Sequence, residues 1–124
     1  VSKGVYDIII QDHKFIWNTT NSGWAIDENT VKEMGSIHTT QGYDLNYAGV
    51  IIGNDIYYDK KSERIEINPD NYFDKKGKQS IKNYEEVRNY IINIYIVLLS
   101  RAIKGTYLFN CDENLKDYFK NYIY

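Results

Sequence analysis

The stretch from Tyr84 to Ile103 restricts the fold more than any other part of the chain. Tyr84, Val87, Ile91, Ile94, Tyr95, Leu98 and Ala102 recur at spacings of three and four. At about 100° per residue they collect on one side of a helix, and Glu86, Asn89, Asn93, Ser100 and Lys104 collect opposite. The pattern predicts an amphipathic helix laid on a sheet and stopped by Gly105. Arg101 falls roughly 70° from the centre of the apolar face, which predicts a rim position with a packed stem and a guanidinium aimed along the sheet edge. Thr106 to Asn110 then reads as a strand, and Asp112 as the N-cap of a last helix running to Tyr122.

Upstream, Ala48 to Ile52 is an apolar run without alternation, closed by Gly53, Asn54 and Asp55. Such a run suits a strand covered on both faces, as in parallel sheets. Strand, helix and strand in that order make a right-handed crossover unit. The fold class this predicts is α/β, three-layered, with a mainly parallel sheet. Tyr6 to Ile10 and Gly35 to His38 read as further short strands, the second broken by Gln41 and Gly42. Ile56 to Tyr58 and Arg64 to Ile67 read as a hairpin, while Asn18 to Gly23 and Asn68 to Gln79 carry loop chemistry.

The 124 residues make a single domain, 1–124. One cysteine, Cys111, excludes an internal disulfide and a four-cysteine zinc site. No apolar run nears the roughly 18 residues of a membrane span. Opening on Val1, the chain is expected to be a piece of a longer protein rather than to begin with a signal peptide. Residues 1–58 hold three Lys/Arg against seven Asp/Glu, residues 59–82 seven against five, and the rest five against five. This lacks the basic excess of an autonomous nucleic-acid binder.

Several chemistries are missing. There is no phosphate-binding loop: the Gly77–Lys78 pair has Tyr72 where the first glycine belongs. No dinucleotide-binding glycine pattern and no nucleophile elbow is present, and two histidines with one cysteine do not make a metal set.

Two segments carry a resemblance. Ser36 to Gly53 (SIHTTQGYDLNYAGVIIG) resembles the fifth motif of superfamily 1 helicases, H-[ST]-x-[QK]-G-x-E followed by an apolar strand. Ile96 to Phe109 (IVLLSRAIKGTYLF) resembles the sixth, V-x-L-T-R-[AG]-x-x-G and a strand. Together they are most similar to a family of bacterial and phage DNA/RNA helicase domains of unknown function, related to the Schlafen ATPase domain. That family reads near IHTxQGxExDYVGVIIG and YxVLLTRGxKGxYxY. Tyr6 to Ile9, Phe15 to Asn18 and Asp112 to Tyr122 resemble it too, so the likeness spans nearly the whole chain.

The resemblance implies a second RecA-like domain of P-loop NTPase type, without its own phosphate loop. It implies a cytoplasmic ATPase or helicase whose ATP and magnesium are held mainly by a first RecA-like domain absent from this chain, and which acts on DNA or RNA. This piece is then inactive alone. Arg101 becomes the arginine finger that neutralises charge on the transferring phosphoryl group. Gln41 and Gly42 become a tight turn beside the nucleotide, and Asp44 the ribose-binding acid. His38 and Thr39 become the end that touches single-stranded nucleic acid. Asp44 stands where the family has Glu, one methylene longer, and Ala102 where it has Gly.

Plainer readings stand beside these. Arg101 could cap the helix end through its dipole, and His38 could be a structural histidine. Trp17 and Trp24 read as anchors or as base-stacking groups. The Lys60–Lys82 run reads as a solvated loop, and Cys111 as a packed thiol. A non-catalytic docking module of the same fold is one rival. A metal-dependent nuclease is another, from Pro69–Asp70 with Asp74, Lys75 and Lys76.

Overall fold

Residues 6–72 and 83–123 are described by a computed structural model, and they form a mixed α/β arrangement of helices and small sheets. Strands β1 (Ile8–Ile10) and β2 (His13–Trp17) pair antiparallel through a two-residue connection in which Gln11 takes φ 53. β3 (Glu33–Met34) joins β2 in parallel. The chain between them makes two short 3-10 turns, Trp24–Ile26 and Glu28–Thr30, the second capped by the Asp27 side chain on the Asn29 N–H.

One carboxylate ties this region together. Glu33 accepts the backbone N–H and hydroxyl of Thr19 and the indole N–H of Trp24. The hydrogen bonds from Thr19 chiefly hold it below the usual carboxylate range. The Trp24 ring lies across Gly35, where a Cβ would sit 2.6 Å from it. Of the two expected readings, Trp24 is therefore a loop anchor, while Trp17 is 39% exposed on β2.

Ser36 to His38 do not form the strand their β-branched neighbourhood predicts. They open a short helix, α1 (Ile37–Thr40). The Ser36 carbonyl accepts the N–H groups of Thr39 and Thr40 and both their hydroxyls. Threonine can bond back to a preceding carbonyl in this way, and local hydrogen bonds override strand propensity here.

β4 (Leu45–Ile52) follows, then the antiparallel hairpin β5 (Ile56–Asp59) and β6 (Arg64–Ile67), as the sequence predicts. The hairpin turn is built by Asp59, which accepts the Lys61 N–H and the Ser62 hydroxyl, with Glu63 at φ 53. Helix α2 (Tyr84–Leu99) is capped by the Asn83 side chain on the Glu85 N–H. β7 (Ala102–Asn110) returns parallel to β4, and α3 (Glu113–Lys120) closes the chain with Asp112 as its N-cap.

The helix is four residues shorter than its periodicity predicts. The Ser100 N–H turns back on Ile96 and Val97, and the Leu45 N–H donates to the Arg101 carbonyl, starting the parallel ladder there. The Thr106 hydroxyl takes up the free Leu99 carbonyl. Gly105 is therefore no helix stop. It sits inside β7, opposite Tyr47, with its missing Cβ 3.5 Å from the tyrosine ring.

The core lies where α2, α3, the hairpin and one face of the β4–β7 pair meet. Ile52, Ile56, Ile67, Tyr72, Val87, Ile91 and Leu115 form it, Ile91 and Leu115 being wholly buried. The coverage of β4 differs from expectation. Val50 and Ile52 face the core, but Tyr47 on the other face is 59% exposed. Among the described residues there are three small sheets, one of them a two-stranded parallel pair, rather than a single mainly parallel sheet.

Candidate functional site: the starting end of the parallel pair

Parallel strands begin at one end of a sheet and finish at the other, so residues just before two such strands become neighbours whatever their separation in sequence. Leu45 and Ala102 are register partners, and the 3.0 Å bond from the Leu45 N–H to the Arg101 carbonyl fixes the junction. The turn from Gln41 to Asp44 and the bend at Arg101 thus share one end of the β4–β7 pair, though about sixty residues separate them.

Gln41 ends α1 in extended geometry, its N–H donating to the Ile37 carbonyl, and its side chain is exposed. Gly42 takes φ 84 with nothing within 4 Å of where a Cβ would stand, so the turn requires glycine for its backbone and not for lack of room. Asp44 is exposed and its carboxylate accepts no hydrogen bond among the described residues. His38 is exposed on α1. Thr39 is 2% exposed, with its hydroxyl on Ser36, so its side chain is turned inward.

Arg101 does not sit on the rim of the helix. It lies one residue past the α2 C-cap, half-buried, with its Nε donating to the Val97 carbonyl at 3.2 Å. That bond anchors the guanidinium to the last turn of α2, and the Nη donors meet no partner among the described residues. Among the described residues no carboxylate lies within ion-pairing distance of it. Arg101 thus shares one end of the pair with a glycine turn and an unengaged carboxylate, residue types that suit an anionic, hydroxyl-bearing ligand. Lys104 is exposed two residues into β7.

The opposite end of the same pair carries polar groups that residue-by-residue reading missed. Asp55 is 5% exposed and accepts the Tyr95 hydroxyl through both oxygens, at 2.8 and 3.0 Å. The same tyrosine oxygen accepts the Gly53 N–H. Burial pushes the Asp55 carboxyl above its usual value. Burial and then the Asp55 charge push the Tyr95 hydroxyl far up. Burial also raises the Cys111 thiol, so it is less reactive than a free cysteine. Asp112 accepts from both Leu115 and Tyr58 backbone N–H groups, tying α3 to the hairpin. Asp55 closes its apolar run in sequence, but nothing local marks it as buried.

For the nuclease rival, Asp70 lies exposed in a 3-10 turn (Pro69–Asn71), and Asp74, Lys75 and Lys76 lie outside the described residues. Among the described residues no group of three or more His, Cys, Asp or Glu is placed to hold a metal. No helix there is long and apolar enough to cross a membrane.

Comparison with known proteins decides the family. Residues 2–112 match the family described as Schlafen group 3, DNA/RNA helicase domain. The chain belongs to that family. It is also similar to the uncharacterized protein YPL245W of Saccharomyces cerevisiae, 42% identical over 98 residues. That match takes in 76% of this chain but only 22% of the yeast protein, so the chain spans under a quarter of its relative's length. No solved structure matches it. As a member of the Schlafen group 3 helicase domains, the chain is helicase-like.

Proposed function

We propose that this chain is the second RecA-like half of a superfamily 1 helicase-like ATPase that acts on DNA or RNA, and that it is inactive without a first, phosphate-gripping half. The observation that carries the reading is the 3.0 Å bond from the Leu45 N–H to the Arg101 carbonyl, which puts the arginine and the Gln41–Asp44 turn at one end of the sheet. ATP with magnesium, when bound, supplies the phosphoryl group to be transferred. The residues here fit its ribose and its terminal phosphate, and not the phosphates between them. Gly42 leaves open space beside the turn, Asp44 offers an unengaged acceptor for ribose hydroxyls, and Arg101 offers donors unpaired by any described carboxylate. Nothing among them resembles a cradle for the inner phosphates.

The roles follow from charge and position. Arg101 is anchored by Nε on Val97, and in this reading its Nη donors serve the phosphoryl group held by the first half. Its work is to neutralise charge that grows in the transition state, an effect that depends on closure and so couples closure to turnover. His38, exposed on α1, is the group at this end that could meet a nucleic-acid strand. Thr39 would reach one only if its bond to Ser36 opened.

In the full-length protein, Arg101→Ala is expected to lower ATP turnover by on the order of 10³-fold with a modest loss of nucleotide affinity. ATP titrated against this chain alone is expected to bind weakly or not at all. Unchanged turnover would remove Arg101 from the site, and micromolar affinity for the isolated chain would contradict a divided one. The 3.2 Å contact from Arg101 Nε to the Val97 carbonyl favours a second reading, in which the arginine only caps α2 in a non-catalytic docking module. That reading expects Arg101→Ala to lower thermal stability and leave any turnover intact.

A further inference from the structure

The β4–β7 ladder slips by one residue at its starting end. Leu45 pairs with Ala102 and Tyr47 with Gly105, so β4 places only Asn46 between them where β7 places Ile103 and Lys104. β7 therefore carries a bulge. Leu45 and Tyr47 share a face, so their partners Ala102 and Gly105 share it too, although three residues apart. Beyond that point the register runs evenly to Ile52 and Asn110. Bulges are rare between parallel strands and gather beside functional sites, where the extra residue re-aims a side chain.

Counting along β7 shows what the extra residue does. The Arg101 carbonyl is fixed at the junction by the Leu45 N–H, and Leu108 packs against the core. From Ala102 a regular strand would set Lys104 opposite the exposed ring of Tyr47 and turn Leu108 outward. The bulge returns Leu108 to the core and sets Lys104 beside Asn46 instead, off the tyrosine face. Asn46 and Lys104 are both exposed. Lys104 follows Arg101 by three residues, about 10 Å of extended chain, and Asn46 follows Asp44 by two. Lys104 makes no ion pair or hydrogen bond among the described residues, whereas Lys116 and Lys120 pair with Glu113 and Asp117.

Two cations at one end can divide their work. Arg101 is tied by its Nε to Val97, which suits charge that appears at one place late in a reaction. A lysine is a compact charge on a flexible stem, able to follow an anion from the moment it binds. A nucleic-acid backbone is a row of phosphates and is matched by a row of cations. A pair of cations near one carboxylate complements the end of a single nucleotide better.

We propose that Lys104 is a second cation for the terminal phosphate of the nucleotide, binding it in the ground state while Arg101 serves the transition state. The inference deepens the divided-site reading and rests on it for the nucleotide.

The test uses the full-length protein. Lys104→Ala is expected to raise KM for ATP, and Kd for a non-hydrolysable ATP analogue, about tenfold, the worth of about one charge-assisted hydrogen bond. Its kcat is expected to stay within about twofold, as when binding common to ground and transition states is removed. ADP affinity should be unchanged, Lys104→Arg should restore most of the loss, and Ile103→Ala should match the parent. The melting temperature of Lys104→Ala should stay within about 2 °C, as for other exposed substitutions. An unchanged KM and Kd would overturn the proposal, and so would equal losses for ATP and ADP. Weakened binding of a 12-mer oligothymidylate with ATP affinity intact would overturn it in favour of a nucleic-acid contact. Normal turnover in Arg101→Ala with a raised KM in Lys104→Ala removes the arginine's role and keeps the lysine. The converse removes the lysine and keeps the divided site.

Discussion

The two ends of the β4–β7 pair are built from similar residues and treated in opposite ways. At the finishing end, Asp55, Tyr95 and Asp112 spend their polar atoms on internal partners, and Asp55 is buried. At the starting end, Asp44 and the Nη donors of Arg101 are left without described partners, on a glycine turn exposed to solvent. A buried polar group must be satisfied within the fold, whereas an exposed one can be held for a ligand at little cost. The contrast teaches which carboxylates and cations hold this domain together and which are free to act.

The core offers the largest test of the holding end. Ile91 is wholly buried beneath β4 and the hairpin, so Ile91→Ala is expected to cost about 2–5 kcal/mol by chemical denaturation. A cost below about 1 kcal/mol would show that the finishing end is not the structural one.

Asp55 sharpens the comparison through pH. Its folded carboxyl ionises at higher pH than it does in the unfolded chain. The charged form is therefore disfavoured by folding, and stability attributable to Asp55 falls as pH rises from the ordinary carboxylate range through its raised value. Asp55→Asn keeps an acceptor for the Tyr95 hydroxyl and removes the titration. Melting temperatures of the two proteins are expected to be close near pH 4 and to diverge in favour of Asn towards pH 7. Parallel profiles would mean that the Asp55 carboxyl is solvated.

A smaller effect is expected at the helix cap. Asp112→Ala removes the acceptor for the Leu115 and Tyr58 N–H groups and is expected to cost about 1–2 kcal/mol. Smallest of all is Asp44→Ala, expected to change stability by less than about 0.5 kcal/mol while weakening nucleotide binding by the full-length protein. A large stability loss there would erase the distinction between the ends.

Much of this was legible from residues alone. The period of α2, the apolar run of β4, the hairpin and the Asp112 cap follow from local chemistry, and each appears. Boundaries set by pairing were not legible. α2 stops at Leu99 because Arg101 is recruited into the ladder with Leu45, a partner about sixty residues away. α1 replaces the expected strand because the threonine hydroxyls find the Ser36 carbonyl. In the candidate site, the residue types and their order were readable, but Thr39 facing inward was not.

By itself the sequence determined which stretches are periodic, where the hairpin falls and which residue caps the last helix, since all of these depend on neighbours a few residues apart. Tertiary structure alone decided that Arg101 and the Gln41–Asp44 turn share an end, that Asp55 is buried against Tyr95, and that one face of the parallel pair lies open. The reason is that burial and proximity depend on which distant strand pairs with which. That choice is made by the summed hydrophobic and hydrogen-bond free energy of the whole domain and not by any local segment.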